Sequence, residues 1–97
     1  MNAPLLIYDK LETVCQTFRV LMHPDRILII ELLIKEEKVE VGKIMKTLNL
    51  GQAVCSNHLG VLKKNNLVTS RRQGKNVLYS AKLSKIKTIA ECINKCS

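Results

Sequence analysis

Gln52, Ala53, Ser56 and Asn57 fall in the first turns of a segment with helical spacing, and their side chains suit the edges of base pairs. Gln and Asn amides pair bidentately with adenine, Ser adapts as donor or acceptor, and Ala touches a thymine methyl. On an isolated helix the same residues would form an ordinary solvated face. Their surroundings favour duplex DNA. Lys63 and Lys64 close the same segment, on the side of the phosphates. Arg71, Arg72 and Lys75 crowd a hairpin tip, where they can grip phosphate or enter a minor groove. A charged loop tip is usually just solvated, but beside a base-reading helix it becomes a second point of attachment. The net charge is divided to match. Residues 1–40 hold five basic side chains against seven acidic ones, whereas residues 41–97 hold eleven against Glu91 alone, a net +10. Positive charge confined to one half of a chain points to a polyphosphate partner.

The second set of reactive groups is Cys15, Cys55, Cys92 and Cys96. All four fall in segments of helical pattern, and free thiols are expected in a chain without a leader. Cys55 reads as a small buried apolar residue. Cys92 and Cys96 stand four apart, so their Cβ atoms lie ~5–6 Å from each other. A disulfide wants ~3.8 Å and would require local unwinding. Three readings stay open for Cys15, Cys92 and Cys96. They can share a thiophilic metal or metalloid. Cys15 can oxidise onto one of the other two. Or all three are packing thiols, since reactivity needs a polarising setting that sequence does not display. Lys95 is the one nearby group that would lower a thiol pKa. His58, between Val54 and Leu62, reads as a buried histidine with a hydrogen-bond partner rather than a metal ligand. His23 reads as a cap or surface residue.

These residues need elements to hold them. Leu11, Val14, Cys15, Phe18, Leu21 and Met22 recur at helical spacing and predict a first helix from about Tyr8 to Met22. Pro24 and Asp25 suit the start of a second helix running through Ile27–Ile34. That run is apolar nearly all round, so it is expected to be the most buried element. Val39-Glu40-Val41 reads as a short strand that pairs with the wing. Val41, Ile44, Met45 and Leu48 give a short third helix, and Asn49-Leu50-Gly51 a turn. A fourth helix from about Gln52 to Asn65 buries Val54, Cys55, Leu59 and Leu62 and exposes Gln52, Ser56, Asn57, Lys63 and Lys64. Two strands, Leu67–Arg72 and Asn76–Ala81, flank a Gln73-Gly74-Lys75 turn in which Gly74 takes positive φ. A last helix begins near Ser84 and carries Ile86, Ile89, Ile93 and Cys96 on one side.

At 97 residues and 46% hydrophobic content, one domain is expected over residues 1–97. Tyr8, Phe18 and Tyr79 are its only aromatics, too few for a module that stacks single-stranded bases. The apolar Pro4–Ile7 stretch is too short for a signal peptide and follows no basic segment. No apolar run approaches the ~20 residues that span a bilayer. The expected location is the cytoplasm. No nucleophile–base pair, phosphate-cradling loop or paired carboxylates suggest an enzyme.

Taken in order, these motifs resemble the ArsR/SmtB family of metal- and stress-responsive repressors, from about Val20 to Ala81. The family shows Asp-Pro-Thr-Arg before its second helix, where this chain has His23-Pro24-Asp25-Arg26. Its recognition segment resembles Ser-Gln-Ser-x-Val-Ser-x-His-Leu-x-x-Leu, and here Gly51-Gln52-Ala53-Val54-Cys55-Ser56-Asn57-His58-Leu59-Gly60-Val61-Leu62 stands in that place. A Gly-Leu-Val, an Arg-rich turn and a Tyr-Ser wing follow in the family. Their counterparts are Asn66-Leu67-Val68, Arg71-Arg72-Gln73-Gly74-Lys75 and Tyr79-Ser80. The family's thiolate metal site is a Cys-Val-Cys on the third helix, but Glu40-Val41-Gly42 stands here. Its zinc-type site on the last helix uses Asp and His, and this last helix has neither. Neither standard metal site carries over.

The resemblance implies an α+β, mainly α, winged helix-turn-helix: five helices and a two-stranded β-hairpin wing, dimerising through the first and last helices. Apolar stripes on those two helices exceed what a three-helix core can cover, which also predicts a homodimer. A homodimer sets two recognition helices ~34 Å apart, matching a palindromic operator in double-stranded DNA. The expected function is transcriptional repression. The alternatives are a winged-helix module that binds protein, and an architectural DNA binder without an effector.

Overall fold

A computed structural model describes the backbone of residues 3–96 and the side chains of residues 11–89 and Glu91. The chain runs α1 (Ala3–Leu21), α2 (Pro24–Glu36), β1 (Val39–Glu40), α3 (Val41–Leu48), α4 (Gln52–Lys64), β2 (Val68–Gln73), β3 (Asn76–Ala81) and α5 (Leu83–Cys96). α1 begins five residues earlier than its apolar spacing predicts, because helical spacing marks that an element exists more sharply than where it ends. Among the described residues no helix is long and apolar enough to cross a membrane.

Short-range chemistry sets the element ends. Pro24 occupies the first turn of α2, and the Asp25 backbone N–H donates to His23 Nδ1 at 3.3 Å. Asn49 ends α3 in the left-handed region at φ 54, and Leu50 N–H returns to the Met45 carbonyl. Asn66 repeats the device after α4 at φ 60, with Leu67 N–H on the Leu62 carbonyl. Asn tolerates this conformation better than other residues with a Cβ, and these paired bonds satisfy carbonyls that a helix end leaves open.

The core is aliphatic. Ile29, Leu33, Ile44, Cys55, Leu59, Leu62, Leu67, Val39 and Val68 are all essentially fully buried, drawing α2, α3, α4, β1 and β2 together. α2 is not the fully enclosed element that its composition suggests. Ile29, Ile30 and Leu33 face inward, while Ile27, Leu28 and Ile34 remain 43–46% exposed. Seven apolar residues wrap the whole helix circumference, but the layer of α3, α4 and β3 covers only one arc of it. Val54 likewise departs from its expected burial and is 46% exposed. It lies about 100° around the helix from Cys55, off the line that Cys55, Leu59 and Leu62 make.

The sheet has three antiparallel strands in the order β1-β3-β2, so the wing is more than a free hairpin. Val39 pairs with Tyr79 and Glu40 with Leu78, fastening β3 to the body. On the other side Val68 pairs with Ala81 and the register continues to Gln73 opposite Asn76. The turn is therefore two residues, Gly74-Lys75. Gly74 has φ 62 at the first central position, where a hairpin turn of type II′ places glycine.

Gly74→Ala is expected to lower stability by about 1 kcal/mol, the usual cost of a Cβ in the left-handed region. Gly51, at φ −68 in open space, is the opposite case. It precedes α4 without a side-chain cap, so Gly51→Ser should raise stability by a few tenths, roughly 0.3 kcal/mol. Thermal unfolding of both variants beside the parent chain checks the pair.

Candidate nucleic-acid interface

α4 turns one face inward because Cys55, His58, Leu59 and Leu62 recur at i, i+3, i+4 and i+7. The opposite face is then obliged to meet solvent. Gln52, Ala53, Ser56, Asn57, Lys63 and Lys64 are all exposed. Ala53, Asn57 and Lys64 form one stripe along the helix, and Gln52, Ser56 and Lys63 the next. The base-reading types thus sit at the N-terminal end and the lysines at the C-terminal end, where cations suit the helix dipole.

Lys63 also reaches the wing: its Nζ donates to Ser70 Oγ at 2.6 Å. The contact ties the end of α4 to β2 and leaves the other ammonium donors free. Arg71 and Arg72 are exposed on β2 opposite Leu78 and Val77. Adjacent strand residues point to opposite sheet faces, so the two guanidiniums straddle the wing. Lys75 is exposed in the turn itself. An open depression of about 450 Å³ is lined by Thr69, Ser70, Arg71, Arg72 and Lys38 among others. Lys38 escaped the sequence reading because it belongs to the acidic half of the chain. Its position beside the wing follows from the β1–β3 pairing, a contact between residues about forty apart.

Behind α4 lies a polar cluster that sequence did not reveal. Arg26, on α2, donates from Nε to His58 Nδ1 at 3.1 Å and from Nη1 to the Val20 carbonyl at 3.1 Å. His58 is buried and packs edge-to-face on His23, with ring centroids 4.4 Å apart. Its Nε2 lies 3.7 Å from Asp25 Oδ2. Burial pushes the His58 pKa below its ordinary value, His23 and Arg26 push it the same way, and Asp25 opposes them. His58 is the partnered core histidine that the sequence suggests, and His23 is a cap.

His23, Asp25 and His58 each offer one ligand atom, all within 4.8 Å of one another. The hydrogen bonding nevertheless opposes a cation. Arg26 always carries the Nε proton, so His58 Nδ1 accepts and neutral His58 keeps its own proton on Nε2, the atom facing Asp25. That nitrogen has no lone pair to give a metal, and a fixed guanidinium charge sits beside it.

The cysteines divide. Cys55 is fully buried and its thiol pKa is raised by desolvation, as expected of an inert packing residue. Cys15 is exposed on α1 instead of packing within the chain. The side chains of Cys92 and Cys96 lie outside the described residues. So does that of Ile93.

The family profile described as "Bacterial regulatory protein, arsR family" matches residues 23–70, from the His23 cap through α4 into the wing. The nodulation protein NolR of Rhizobium meliloti is 32% identical over 74 residues, 76% of this chain and 60% of NolR. The chain therefore matches less than two thirds of that relative's length. The crystal structure of Rv0081 from Mycobacterium tuberculosis superposes with a TM-score of 0.69 at 30% identity, over 93% of this chain and 89% of the other. The transcriptional repressor PagR of Bacillus anthracis superposes with a TM-score of 0.74 at 28% identity, over 89% of this chain and 98% of PagR. A helix-turn-helix with its wing, a matching family profile and a relative alike along nearly its whole length together place this chain in the ArsR family of bacterial regulatory proteins, as a DNA-binding transcriptional regulator.

Proposed function

We propose that the chain is a single winged helix-turn-helix domain that acts as a homodimeric transcriptional repressor on a palindromic operator. The observation that carries this reading is one continuous exposed surface: base-reading side chains at the start of α4, lysines at its end, and arginines on a wing fastened to it by the Lys63–Ser70 bond. Gln52, Ala53, Ser56 and Asn57 read base edges. Lys63, Lys64, Arg71, Arg72 and Lys75 hold phosphate or the minor groove. PagR is a transcriptional repressor, which supports repression here by kinship.

Dimerisation rests on apolar surface left exposed among the described residues. Leu11 and Cys15 are exposed on α1, Leu11 at 49%, and Met22, just after the helix, is 79% exposed. Leu83 at the start of α5 is 60% exposed. Covering each such side chain contributes about 1.5–3 kcal/mol when burial is complete. Sedimentation of the parent chain should give a dimer, and Leu83→Glu should shift it toward monomer. A monomeric parent would remove the palindrome from the proposal.

Release by thiol chemistry is the second part of the proposal. Cys15 is accessible on α1, and Cys92 and Cys96 stand one turn apart in the sequence of α5. A mild oxidant or a thiophilic metal acting on these three would deform the dimer helices and loosen the operator. Cys92→Ser and Cys96→Ser should each keep DNA affinity and lose the response to treatment. An unchanged response in both variants refutes the thiol switch and returns the cysteines to packing.

Two substitution sets separate reading from gripping. Gln52→Ala and Asn57→Ala should each cost about 1–3 kcal/mol on the chain's own upstream duplex and leave a scrambled duplex unaffected. Arg71→Ala, Arg72→Ala and Lys75→Ala should weaken both duplexes alike, each lowering the slope of log affinity against log salt by about 0.9. Fluorescence anisotropy across a salt series measures both. Equal loss on both duplexes from the α4 variants would point to an architectural binder.

A further inference from the structure

Among the described residues, Arg26 is the side chain whose hydrogen bonds bridge the end of α1 and the recognition helix. Its two hydrogen bonds reach different elements, Nη1 donating to the Val20 carbonyl of α1 and Nε to His58 Nδ1 on α4. Val20 belongs to the last turn of α1, where carbonyls lack helical partners and carry the negative end of the dipole. A guanidinium suits this place on both counts. Its charge is permanent, and its planar fork sends donors in two fixed directions, which an ammonium does not do. The acceptor on the other side is not permanent. His58 Nδ1 accepts only while the ring is neutral, because imidazolium has donors at both nitrogens.

We propose that Arg26 and His58 are positioning residues that set the recognition helix against the dimer-forming helix α1, and that protonation of His58 undoes the setting and weakens operator binding. The inference rests on the reading of α4 as the DNA-reading helix and α1 as a dimer helix. Once protonated, His58 turns an N–H toward the Arg26 N–H, and two cations face each other across the former hydrogen bond. The titratable groups acting on His58 are His23, Arg26 and Asp25, all at the head of α2. None comes from α3 or β2, which also pack on α4. Burial, His23 and Arg26 keep the ring neutral near neutrality, and Asp25 alone favours the charged form.

The sign of the effect sets this proposal apart from ordinary electrostatics. Acidification adds positive charge to the protein, which by itself tightens binding to phosphate. Undoing the setting predicts the reverse for the operator. Stability follows the same direction. His58 titrates lower when folded than when unfolded, so the unfolded chain takes the proton first and stability falls as pH drops below the ordinary histidine value of about 6.5.

The test uses the full chain at about pH 7.5 and about pH 5.5, on its own upstream duplex and on a scrambled one. In the parent, preference for the upstream duplex should fall severalfold on acidification, staying under the ceiling of about tenfold for a group that titrates at the ordinary value of about 6.5, because His58 titrates lower. His58→Asn puts a non-titrating acceptor where Nδ1 stood, and its preference should change less than about threefold, within charge effects common to both proteins. Arg26→Lys keeps the charge but not the fork, and should show a low preference at both pH values. A parent preference that holds or rises in acid overturns the proposal, as does an equal fall in His58→Asn. Backbone NMR of the DNA-free chain gives a readout that needs neither DNA nor the Arg26 variant. Amide shifts at the end of α1 and along α4 should move with one midpoint in the parent and stay still in His58→Asn. Shifts confined to the neighbours of His58 would overturn the coupling. If that coupling holds while neither duplex is preferred at neutral pH, the positioning contact stands and the DNA reading of α4 is what has failed.

Discussion

The line of Cys55, Leu59 and Leu62 buried against α2, α3 and the start of β2 is the contact from which the rest of the structure follows. A helix of thirteen residues that commits one arc to the core has no freedom left in its rotation. Gln52, Ser56 and Asn57 are presented to solvent because Leu59 and Leu62 are not. The interface is thus the reverse side of the hydrophobic core. Each large-to-small change on the buried line would cost the usual few kcal/mol, about 2–5 for Leu→Ala, and would also loosen the presentation of the exposed stripe.

The wing depends on the same core at one remove. Val39 and Val68 are buried and anchor the outer strands, β3 is held between them, and Gly74 lets the hairpin close in two residues. A two-stranded hairpin alone is marginal in water, and β1 supplies the third strand that keeps it in one orientation. Arg71 and Arg72 gain their value from that fixed orientation. Charge placed on a loose loop is screened and entropically costly to localise, whereas charge on a paired strand is already localised.

Much of this was legible in residue order. The helix periods, the Asn and Gly breakers and the alternation of β3 located every element, because each reflects chemistry within a few residues. The exposed face of α4 and the cationic turn could also be assigned, since composition alone distinguishes them from the core. The misjudgements share a cause. Val54 and the outward residues of α2 are apolar and were expected to be buried, yet hydrophobicity says only that a side chain tolerates burial. Whether a neighbour arrives to cover it is settled by the packing of other elements, and the described residues leave Leu11 on α1 and Ile27, Leu28 and Ile34 on α2 exposed.

Arg26 marks the boundary most clearly. In sequence it is one cation in an acidic half, matched to a family motif but with no partner in view. In space it meets His58, 32 residues away, and the Val20 carbonyl behind it. Sequence by itself determined the element order, the divided charge, the exposed polar stripe of α4 and the kinship with a regulator family. These depend on helical and strand periods and on turn residues, all short-range. Only the tertiary structure decided the register of β1 on the wing, the side of α2 left bare, the tie from Lys63 to Ser70 and the tautomer of His58. Each of these depends on which distant groups the burial of the core brings within hydrogen-bonding reach, and no local pattern encodes that distance.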